Sequence, residues 1–266
     1  MKYFSKNKYK FIALIIVALL LTDMLFHKGI VRVLLPGKFP AYEVFSQSPP
    51  SNIKLINANK QWVKAVNSIT LLDALPSATS GFEIDVYYDT TKQYFDVHHD
   101  LDNSSNLNLE TLLKRYASRH LSSSIWLDFK NLSPGNGTMA LSELLHLRSH
   151  YQLDNKVVVE SPFPGLLKPF ASNGFYTSYY IPYFNPYLVS NDSLQHFIKE
   201  IRLNLENATV QSLSGYYYQS PFMHQYFPNY PLLIWGTNDK YSLVNQLYKK
   251  YIKNKKEIFV ALYPSS

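Results

Sequence analysis

Apolar and polar residues alternate along the chain in a pattern that predicts short strands separated by helices. Runs rich in β-branched and aromatic residues alternate with segments of helical length and amphipathic spacing. The predicted strands are residues 53–58, 81–88, 124–130, 156–161, 175–182, 209–217, 232–237 and 258–262. The predicted helices are residues 61–75, 109–118, 139–150, 164–173, 193–205, 221–227 and 242–251. Eight strands with interposed helices predict an α/β fold, a closed (β/α)8 barrel of the TIM type.

The second strand is followed by an insertion. A further extended run, residues 94–98, comes after a turn and leads into a loop rich in Asp, Asn and Ser. Insertions at the carboxyl end of a barrel strand are where catalytic groups are mounted. We therefore expect functional side chains on this segment.

The N-terminus has the pattern of a targeting segment. Residues 11–26 are apolar except for Thr22 and Asp23, and His27 and Lys28 follow them. The lysines before this run are Lys2, Lys6, Lys8 and Lys10. Residues 22–26 offer no small residues for a signal-peptide cleavage site, so we expect an uncleaved membrane anchor with the barrel outside the cytoplasm, periplasmic or extracellular. The alternatives are a secreted protein, if the segment is cleaved, and a soluble protein with a buried N-terminal helix.

The same pattern predicts three parts. Residues 1–30 form a basic cytoplasmic end and the anchor, residues 31–52 form a linker with several prolines, and residues 53–266 form the barrel domain. A chain of 266 residues with 46% hydrophobic residues can bury the core of one such domain.

Composition excludes some classes of site. The chain has no cysteine, which rules out disulfides, thiolate metal sites and cysteine nucleophiles. The formal net charge is +7, partly from the N-terminal lysines, and no aromatic and basic arrays indicate a nucleic-acid partner. The remaining excess is compatible with an anionic substrate, a phospholipid surface or a solvated basic face.

Carboxylates with strand spacing provide the strongest chemical signal. Glu83 and Asp85 are two residues apart on one predicted strand and therefore point to the same face. Asp128 and Lys130 repeat this spacing on the next strand of the barrel. Three carboxylates suit one divalent cation such as Mg²⁺ or Ca²⁺, and an ammonium beside it suits a phosphoryl oxygen. The alternative is a structural network of ion pairs at the barrel mouth.

Histidines and asparagines complete the predicted site. His99, directly before Asp100, is the candidate general acid or base because imidazole titrates near neutrality. His98 ranks second, since it faces the opposite way if the strand persists. Asn57 and Asn59 are expected at the carboxyl end of the first predicted strand. No nucleophile-elbow glycines support a serine hydrolase.

These residues resemble the motifs of the glycerophosphodiester phosphodiesterase family, within the phospholipase-C-like phosphodiesterase barrels. That family carries His-Arg-Gly, Glu-x-Asp, His-Asp, Glu-x-Lys and Trp-Thr-Val-Asn in this order. The corresponding segments here are Asn57-Ala58-Asn59, Glu83-Ile84-Asp85, His99-Asp100, Asp128-Phe129-Lys130 and Trp235-Gly236-Thr237-Asn238. Leu127-Asp128-Phe129-Lys130 also resembles menorin-like proteins, whose first strand carries His-Ala-x-Asn.

The resemblance implies a role for each matched residue. Glu83, Asp85 and Asp128 would bind the metal, with an aspartate in place of the usual glutamate at position 128. Lys130 would contact the phosphate and His99 would act in catalysis. The substrate-binding set would be Asn59, His98 and Trp235. Asn57 stands where the first catalytic histidine is expected, and an amide cannot accept a proton at neutral pH.

Three hypotheses follow. The first is a membrane-anchored phosphodiesterase, dependent on one divalent cation, that cleaves a glycerophosphodiester or a phospholipid head group. The second is a degenerate barrel that binds a phosphorylated or lipid ligand without hydrolysis, which an asparagine in place of a histidine would favour. The third is a lipid-surface or cell-envelope interaction protein that uses the tyrosine-rich segment 216–218.

Overall fold

Parallel strands close into a barrel. The computed structural model describes residues 3–51, 53–102, 104–236 and 242–264, with side chains described from Lys8 onward. The strands are β1 (Trp62–Lys64), β2 (Gly81–Asp89), β3 (Tyr94–Val97), β4 (Ser124–Phe129), β5 (Val157–Ser161), β6 (Tyr176–Tyr180), β7 (Ser212–Tyr216), β8 (Leu232–Trp235) and β9 (Ile258–Pro264). In these ranges β3 pairs antiparallel with β2, and the other eight strands form a closed parallel sheet.

Closure depends on the first strand. Val63 of β1 pairs with Phe82 of β2, and Trp62 pairs with Leu262 of β9, so β1 joins the two ends of the sheet. The predicted (β/α)8 barrel is therefore confirmed. Side chains at the carboxyl ends of the parallel strands meet at one mouth.

Helices follow the strands and surround the barrel. They are α1 (Tyr3–Phe26), α2 (Lys28–Leu34), α3 (Ile69–Ala74), α4 (Leu109–Ser118), α5 (Gly137–His150), α6 (Lys168–Ser172), α7 (Asn191–Glu206), α8 (Ser220–Tyr226) and α9 (Leu243–Lys253). Four of them begin at a polar cap whose side chain accepts a backbone N–H, as short polar residues favour. These caps are Ser68, Asn108, Ser190 and Ser242.

Side chains along each strand alternate between the helices and the barrel interior. On β4, Ile125 and Leu127 join the core cluster shared with the helices, and Trp126 joins the cluster inside the barrel. The interior cluster also contains Val158 and Leu233. This apolar floor fills the lower barrel, so the polar inward positions of β2 and β4 lie above it, toward the mouth.

The prediction for the first strand is wrong. Residues 53–58 form no strand; Leu55 is buried against the interior cluster, and Asn57 has a positive φ of 58°. The strand that closes the barrel is β1, inside the segment predicted as helix 61–75. Only the second half of that segment is helical, as α3. Hydrophobic residues at 53–56 imitate a strand, but they cover the base of the barrel.

The N-terminal helix stands apart from the barrel for most of its length. Lys8–Phe26 spans 19 residues with a mean hydropathy of 2.1, and it is long and apolar enough to cross a membrane. None of this segment is buried against the rest of the protein. After α2, Phe45 is buried and its N–H donates to the carbonyl of Tyr226 (2.8 Å), so the segment predicted as a linker packs against the barrel.

Candidate active site

Three buried carboxylates meet at the barrel mouth. Glu83 and Asp85 lie on β2, and Asp128, on β4, is the lateral partner of Asp85 in the sheet. One oxygen of each carboxylate lies within 4.8 Å of the others. The alternation of β2 and β4 produces this cluster, because the intervening Ile84 and Leu127 face the helices.

Neighbouring donors hold the two carboxylates of β2 in place. Glu83 Oε1 accepts from the indole N–H of Trp235 (3.0 Å), and Oε2 accepts from the backbone N–H of Ala65 (2.9 Å). Asp85 Oδ2 accepts from the side-chain amide of Asn67 (2.6 Å). Each carboxylate oxygen has two acceptor sites, so these bonds orient the groups and still leave capacity for a cation.

Burial and mutual repulsion make the cluster reluctant to ionise. Burial, followed by the charges of Asp85 and Asp128, raises the pKa of Glu83 to about 7. Burial also raises the pKa of Asp128 to about 6, although the adjacent Lys130 opposes this shift. Because burial and repulsion disfavour the ionised carboxylates, a positively charged ligand at this site would stabilise their ionised forms.

Lys130 supplies one positive charge at this cluster. Its Nζ lies 2.8 Å from Asp85 Oδ1 and forms an ion pair with Asp128 Oδ2. Burial alone would lower the pKa of this ammonium, but Asp128 and Asp85 raise it above its ordinary value. Lys130 is therefore a permanent cation within reach of a ligand in the cavity.

The two adjacent histidines have different surroundings. His99 lines the cavity with its side chain 67% exposed, and its Nδ1 lies 2.8 Å from Asp100 Oδ1. His98 is buried, stacks on Tyr87 at 4.2 Å between ring centroids, and lies 3.5 Å from Asp96. Of the two, His99 is the one that lines the cavity and can exchange a proton with a ligand there.

Aromatic side chains line the cavity beside the carboxylates. The cavity has a volume of about 480 Å³ and is lined there by Tyr180, Tyr216, Tyr217 and Trp235. The Tyr180 and Trp235 rings meet edge to face at 4.8 Å, and Tyr216 lies 5.6 Å from Trp235. The cavity therefore combines charged groups with aromatic rings, as small-molecule sites commonly do.

The structure does not place the two predicted asparagines in this cavity. Asn57 donates to the carbonyl of Ser122, just before β4, and Asn59 donates to Ser80 Oγ, just before β2. Both contacts lie at the amino ends of strands, at the base of the barrel. The expectation that Asn57 and Asn59 belong to the mouth is wrong, because it depended on the wrong first strand.

Lys64 and Asn67 occupy the place that those asparagines were expected to fill. Lys64, the last residue of β1, lines the cavity, and Asn67 bonds to Asp85. A signal for them was present in the sequence: Lys64-Ala65-Val66-Asn67 matches the menorin-like His-Ala-x-Asn at two positions. A lysine therefore stands where that pattern has its histidine.

A fourth carboxylate lies beside the cluster. Glu160 of β5 is the lateral partner of Asp128 and is fully buried. Burial, reinforced by Asp128, raises the pKa of Glu160 well above its ordinary value. Glu160 therefore holds a proton more tightly than an exposed glutamate does. Of the other predicted residues, Thr237 and Asn238 lie outside the described residues.

The fold can be compared with solved structures. It matches a glycerophosphodiester phosphodiesterase from Parabacteroides distasonis with a TM-score of 0.52 and 15% identity, covering 77% of this chain and 93% of that one. Its structural neighbours are glycerophosphodiester phosphodiesterases. A candidate member from Galdieria sulphuraria matches with a TM-score of 0.52 and 13% identity over 81% of this chain and 95% of that one.

A third solved structure is similar to the chain in fold and likewise distant in sequence. A candidate glycerophosphoryl diester phosphodiesterase from Silicibacter pomeroyi matches with a TM-score of 0.51 and 11% identity, covering 79% of this chain and 91% of that one. No protein-family model and no curated protein sequence matches the chain. At these identities the likeness confirms the barrel fold alone.

Proposed function

We propose that this protein is a divalent-metal-dependent phosphoric diester hydrolase that acts on glycerophosphodiesters or phospholipid head groups. The observation that carries the proposal is the meeting of three buried carboxylates, a partly buried ammonium and an exposed histidine around one cavity. The barrel would be anchored through α1, with the cavity outside the cytoplasm, as the N-terminal lysines indicate.

The carboxylates fit one hard cation. Glu83, Asp85 and Asp128 offer only oxygen ligands, which suit Mg²⁺ or Ca²⁺. Burial, reinforced by neighbouring carboxylates, raises the pKa values of Glu83 and Asp128, and a bound cation would favour their ionised forms. When bound, such an ion polarises a phosphoryl oxygen and offsets the charge that develops there during displacement.

Two lysines would bind the anion from different sides. Lys130 lies between the carboxylates of β2 and β4, and Lys64 lies at the end of β1 on the same cavity. Ammonium groups stabilise negative charge on the nonbridging oxygens of a phosphodiester. A doubly esterified phosphate carries one such charge, so the cavity would hold it firmly between these groups.

His99 would move the proton. Because a carboxylate only accepts hydrogen bonds, the contact with Asp100 places a proton on Nδ1 and makes Nε2 the acid-base nitrogen of the neutral ring. In that role His99 would protonate the leaving alkoxide or activate water. Trp235 and Tyr180 would contact the alcohol.

A binding function is the second candidate, and Lys64 favours it. An ammonium donates hydrogen bonds and cannot accept a proton, so Lys64 cannot perform the step of the histidine expected at the end of the first strand. Loss of a general acid or base costs about a hundredfold to ten-thousandfold in rate. The barrel would then hold a phosphorylated or lipid ligand and turn it over slowly or not at all.

Assays with the purified full chain separate the two functions. Glycerophosphodiesters and lysophospholipids are incubated with Mg²⁺, with Ca²⁺ and with a chelator, using the wild type and the His99→Ala variant. His196→Ala is the matched control, because His196 is also exposed but lies on α7 beside Glu200. We expect metal-dependent release of an alcohol that His99→Ala abolishes and His196→Ala leaves unchanged.

Two results would contradict hydrolysis. Either no turnover occurs under any of these conditions, or turnover is the same in His99→Ala as in the wild type. Calorimetric binding of a phosphodiester without turnover would instead support the binding barrel.

A further inference from the structure

The membrane-type helix is fastened to the mouth end of the barrel. Near its C-terminal end, Asp23 Oδ2 accepts the backbone N–H of Val244 (2.9 Å) in the first turn of α9. His27 Nδ1 lies 3.0 Å from Asp23 Oδ1. Because α9 follows β8, its first turn lies on the side of the barrel where the strands end. Asp23, an expensive residue within an apolar span, is thus satisfied by the barrel.

The next segment also begins at the mouth. Gly29 of α2 lies so close to Tyr217 that a Cβ there would be 2.6 Å from the tyrosine hydroxyl, and Tyr217 lines the cavity. Tyr187, on the loop after β6, donates its hydroxyl to the carbonyl of Arg32 (3.3 Å). Both partners of α2 therefore belong to the mouth side of the barrel.

From there the chain runs down the outside of the barrel to its base. Phe45 bonds to Tyr226 at the end of α8, and the N–H of Ile56 donates to the carbonyl of Asn155 (2.7 Å), just before β5. The chain between α1 and β1 thus leads from the mouth to the base. Since α1 is not buried against the barrel, it leaves the molecule at the mouth end.

Exposed apolar side chains are also concentrated on the mouth loops. Leu101, Phe163, Tyr183 and Leu188 lie on the loops after β3, β5 and β6, and Leu101 and Leu188 are 74% and 76% exposed. Toward the base, the exposed large hydrophobic residues in the described part of the connecting segment are Val44 and Ile56, which are 45% and 44% exposed. Exposed apolar groups grouped on one side indicate a membrane or partner surface.

A second groove, mostly apolar, lies beside these loops. It has a volume of about 690 Å³, shares Tyr180 with the cavity, and is lined by Phe163, Leu166 and Tyr183, with Glu200 and Asn204 of α7 as polar members.

We propose that the barrel is held with its mouth facing the bilayer that contains α1, so that the cavity receives a phosphodiester presented by a membrane lipid. The inference rests on the proposed function for the chemistry of the cavity and for the anchoring of α1. The new element is the orientation of the barrel relative to the bilayer, which follows from the contacts of Asp23 and Gly29 with the barrel.

The absence of cysteine makes the orientation measurable. Single-cysteine variants Leu101→Cys and Leu188→Cys mark the mouth, and Asn57→Cys marks the base. Each full-length variant carries a fluorophore and is reconstituted into phosphatidylcholine vesicles that contain lipids with a quencher on the head group. We expect strong quenching at both mouth positions and weak quenching at the base. Equal quenching at all three, or stronger quenching at Asn57, would overturn the proposal.

A second set of variants tests the attachment itself. Asp23→Ala removes the contact with α9, and we expect it to reduce the difference in quenching between mouth and base. Thr22→Ala is the control. Thr22 is the residue before Asp23, and its side chain donates to the carbonyl of Ala18 within the same helix. If Asp23→Ala and Thr22→Ala give the same quenching pattern, the attachment does not set the orientation.

An activity comparison links the orientation to the substrate. In vesicles, Asp23→Ala should lower hydrolysis of an embedded lysophospholipid by about tenfold, because the effective concentration of the site at the surface falls. Hydrolysis of a water-soluble glycerophosphodiester should stay within about twofold, since the cavity is unchanged. Equal losses on both substrates would count against the proposal. If the wild type hydrolyses neither substrate, the proposed function fails, and the quenching pattern still decides the orientation.

Discussion

Asn67 and Asp85 are joined by two hydrogen bonds that connect the loop after β1 to β2. The amide of Asn67 donates to Asp85 Oδ2 (2.6 Å), and the backbone N–H of Asp85 donates to Asn67 Oδ1 (2.9 Å). The pair fixes both the position of the strand and the direction of a carboxylate at the cavity. Asn67 thus orients a candidate metal ligand without belonging to the predicted ligand set.

We expect Asn67→Ala to weaken the binding of Mg²⁺ or Ca²⁺ by about tenfold to a hundredfold, because partners that orient metal ligands have effects of this size. Isothermal titration calorimetry of the full chain measures it. The control is Asn131→Ala. Asn131 also makes a pair of hydrogen bonds to β2: its side-chain oxygen accepts from the backbone N–H of Tyr88 (2.8 Å), and its amide donates to the carbonyl of Tyr88 (3.1 Å). Equal losses of affinity in both variants would show a general effect on β2.

A second prediction concerns the position at the end of β1. Lys64→His would add a second histidine to the lining of the cavity, so that one ring could accept a proton while His99 donates one. We expect turnover of a glycerophosphodiester to rise by at least about tenfold, because a general base contributes a hundredfold or more when it is well placed. Steady-state kinetics with saturating cation measures the change.

Asn57→His is the matched control for that variant. It introduces the same side chain at the base of the barrel, where Asn57 contacts the carbonyl of Ser122. We expect no change in turnover. A gain of activity in Asn57→His would contradict the placement of this residue outside the site, and a loss in Lys64→His would show that the ammonium itself is required.

The two histidines should separate activity from stability. His99→Ala should lower kcat by about a hundredfold or more and leave the melting temperature nearly unchanged, because its side chain is 67% exposed. His98→Ala should instead destabilise the fold by roughly 1 to 3 kcal/mol, because it removes a buried ring that stacks on Tyr87. Thermal unfolding and kinetics of the two variants, measured side by side, test this. A large loss of kcat in a well-folded His98→Ala variant would reverse the assignment.

The strands β2 and β1 differ in how well the local sequence pattern predicts them. On β2, Phe82, Ile84 and Val86 alternate with Glu83 and Asp85 for long enough to predict the strand and the face of each carboxylate. β1 has three residues, Trp62–Lys64, which is too short for any periodicity to show. Its partners on β9 lie 200 residues later in the chain, as in the pair Trp62 and Leu262, and no local pattern can reveal such a contact.

The same reasoning explains which site residues were predicted. Glu83, Asp85 and Asp128 lie on strands with clear alternation, Lys130 directly follows β4, and their meeting follows from the parallel register of β2 and β4. His99 required one more step: the antiparallel return of β3, with Val97 opposite Val86, brings the following residues back to the level of Asp85. Asn67 was missed because its position depends on the short strand.

The last prediction concerns pH and metal. The raised pKa values of Glu83 (about 7) and Asp128 (about 6) mean that the folded protein holds protons more tightly than the unfolded chain. Stability from these groups is therefore fully present below about pH 4 and is lost as the pH rises to about 7, by on the order of 3 kcal/mol for Glu83. A divalent cation binds the ionised carboxylates and competes with protons. We expect chelated protein to melt at a lower temperature at about pH 7.5 than at about pH 5, and added Mg²⁺ or Ca²⁺ to stabilise it more at the higher pH.

Two variants show whether the carboxylates cause this dependence. Glu83→Gln removes one ionisable group from the cluster and should flatten the fall in melting temperature of the chelated protein. Asp73→Asn removes a surface carboxylate that is paired with Arg115, which holds the pKa of Asp73 below its ordinary value, and it should leave the fall between pH 5 and 7.5 intact. A cation effect of equal size at both pH values would mean that the ion binds elsewhere, because only a site that must lose protons couples metal affinity to pH in this direction.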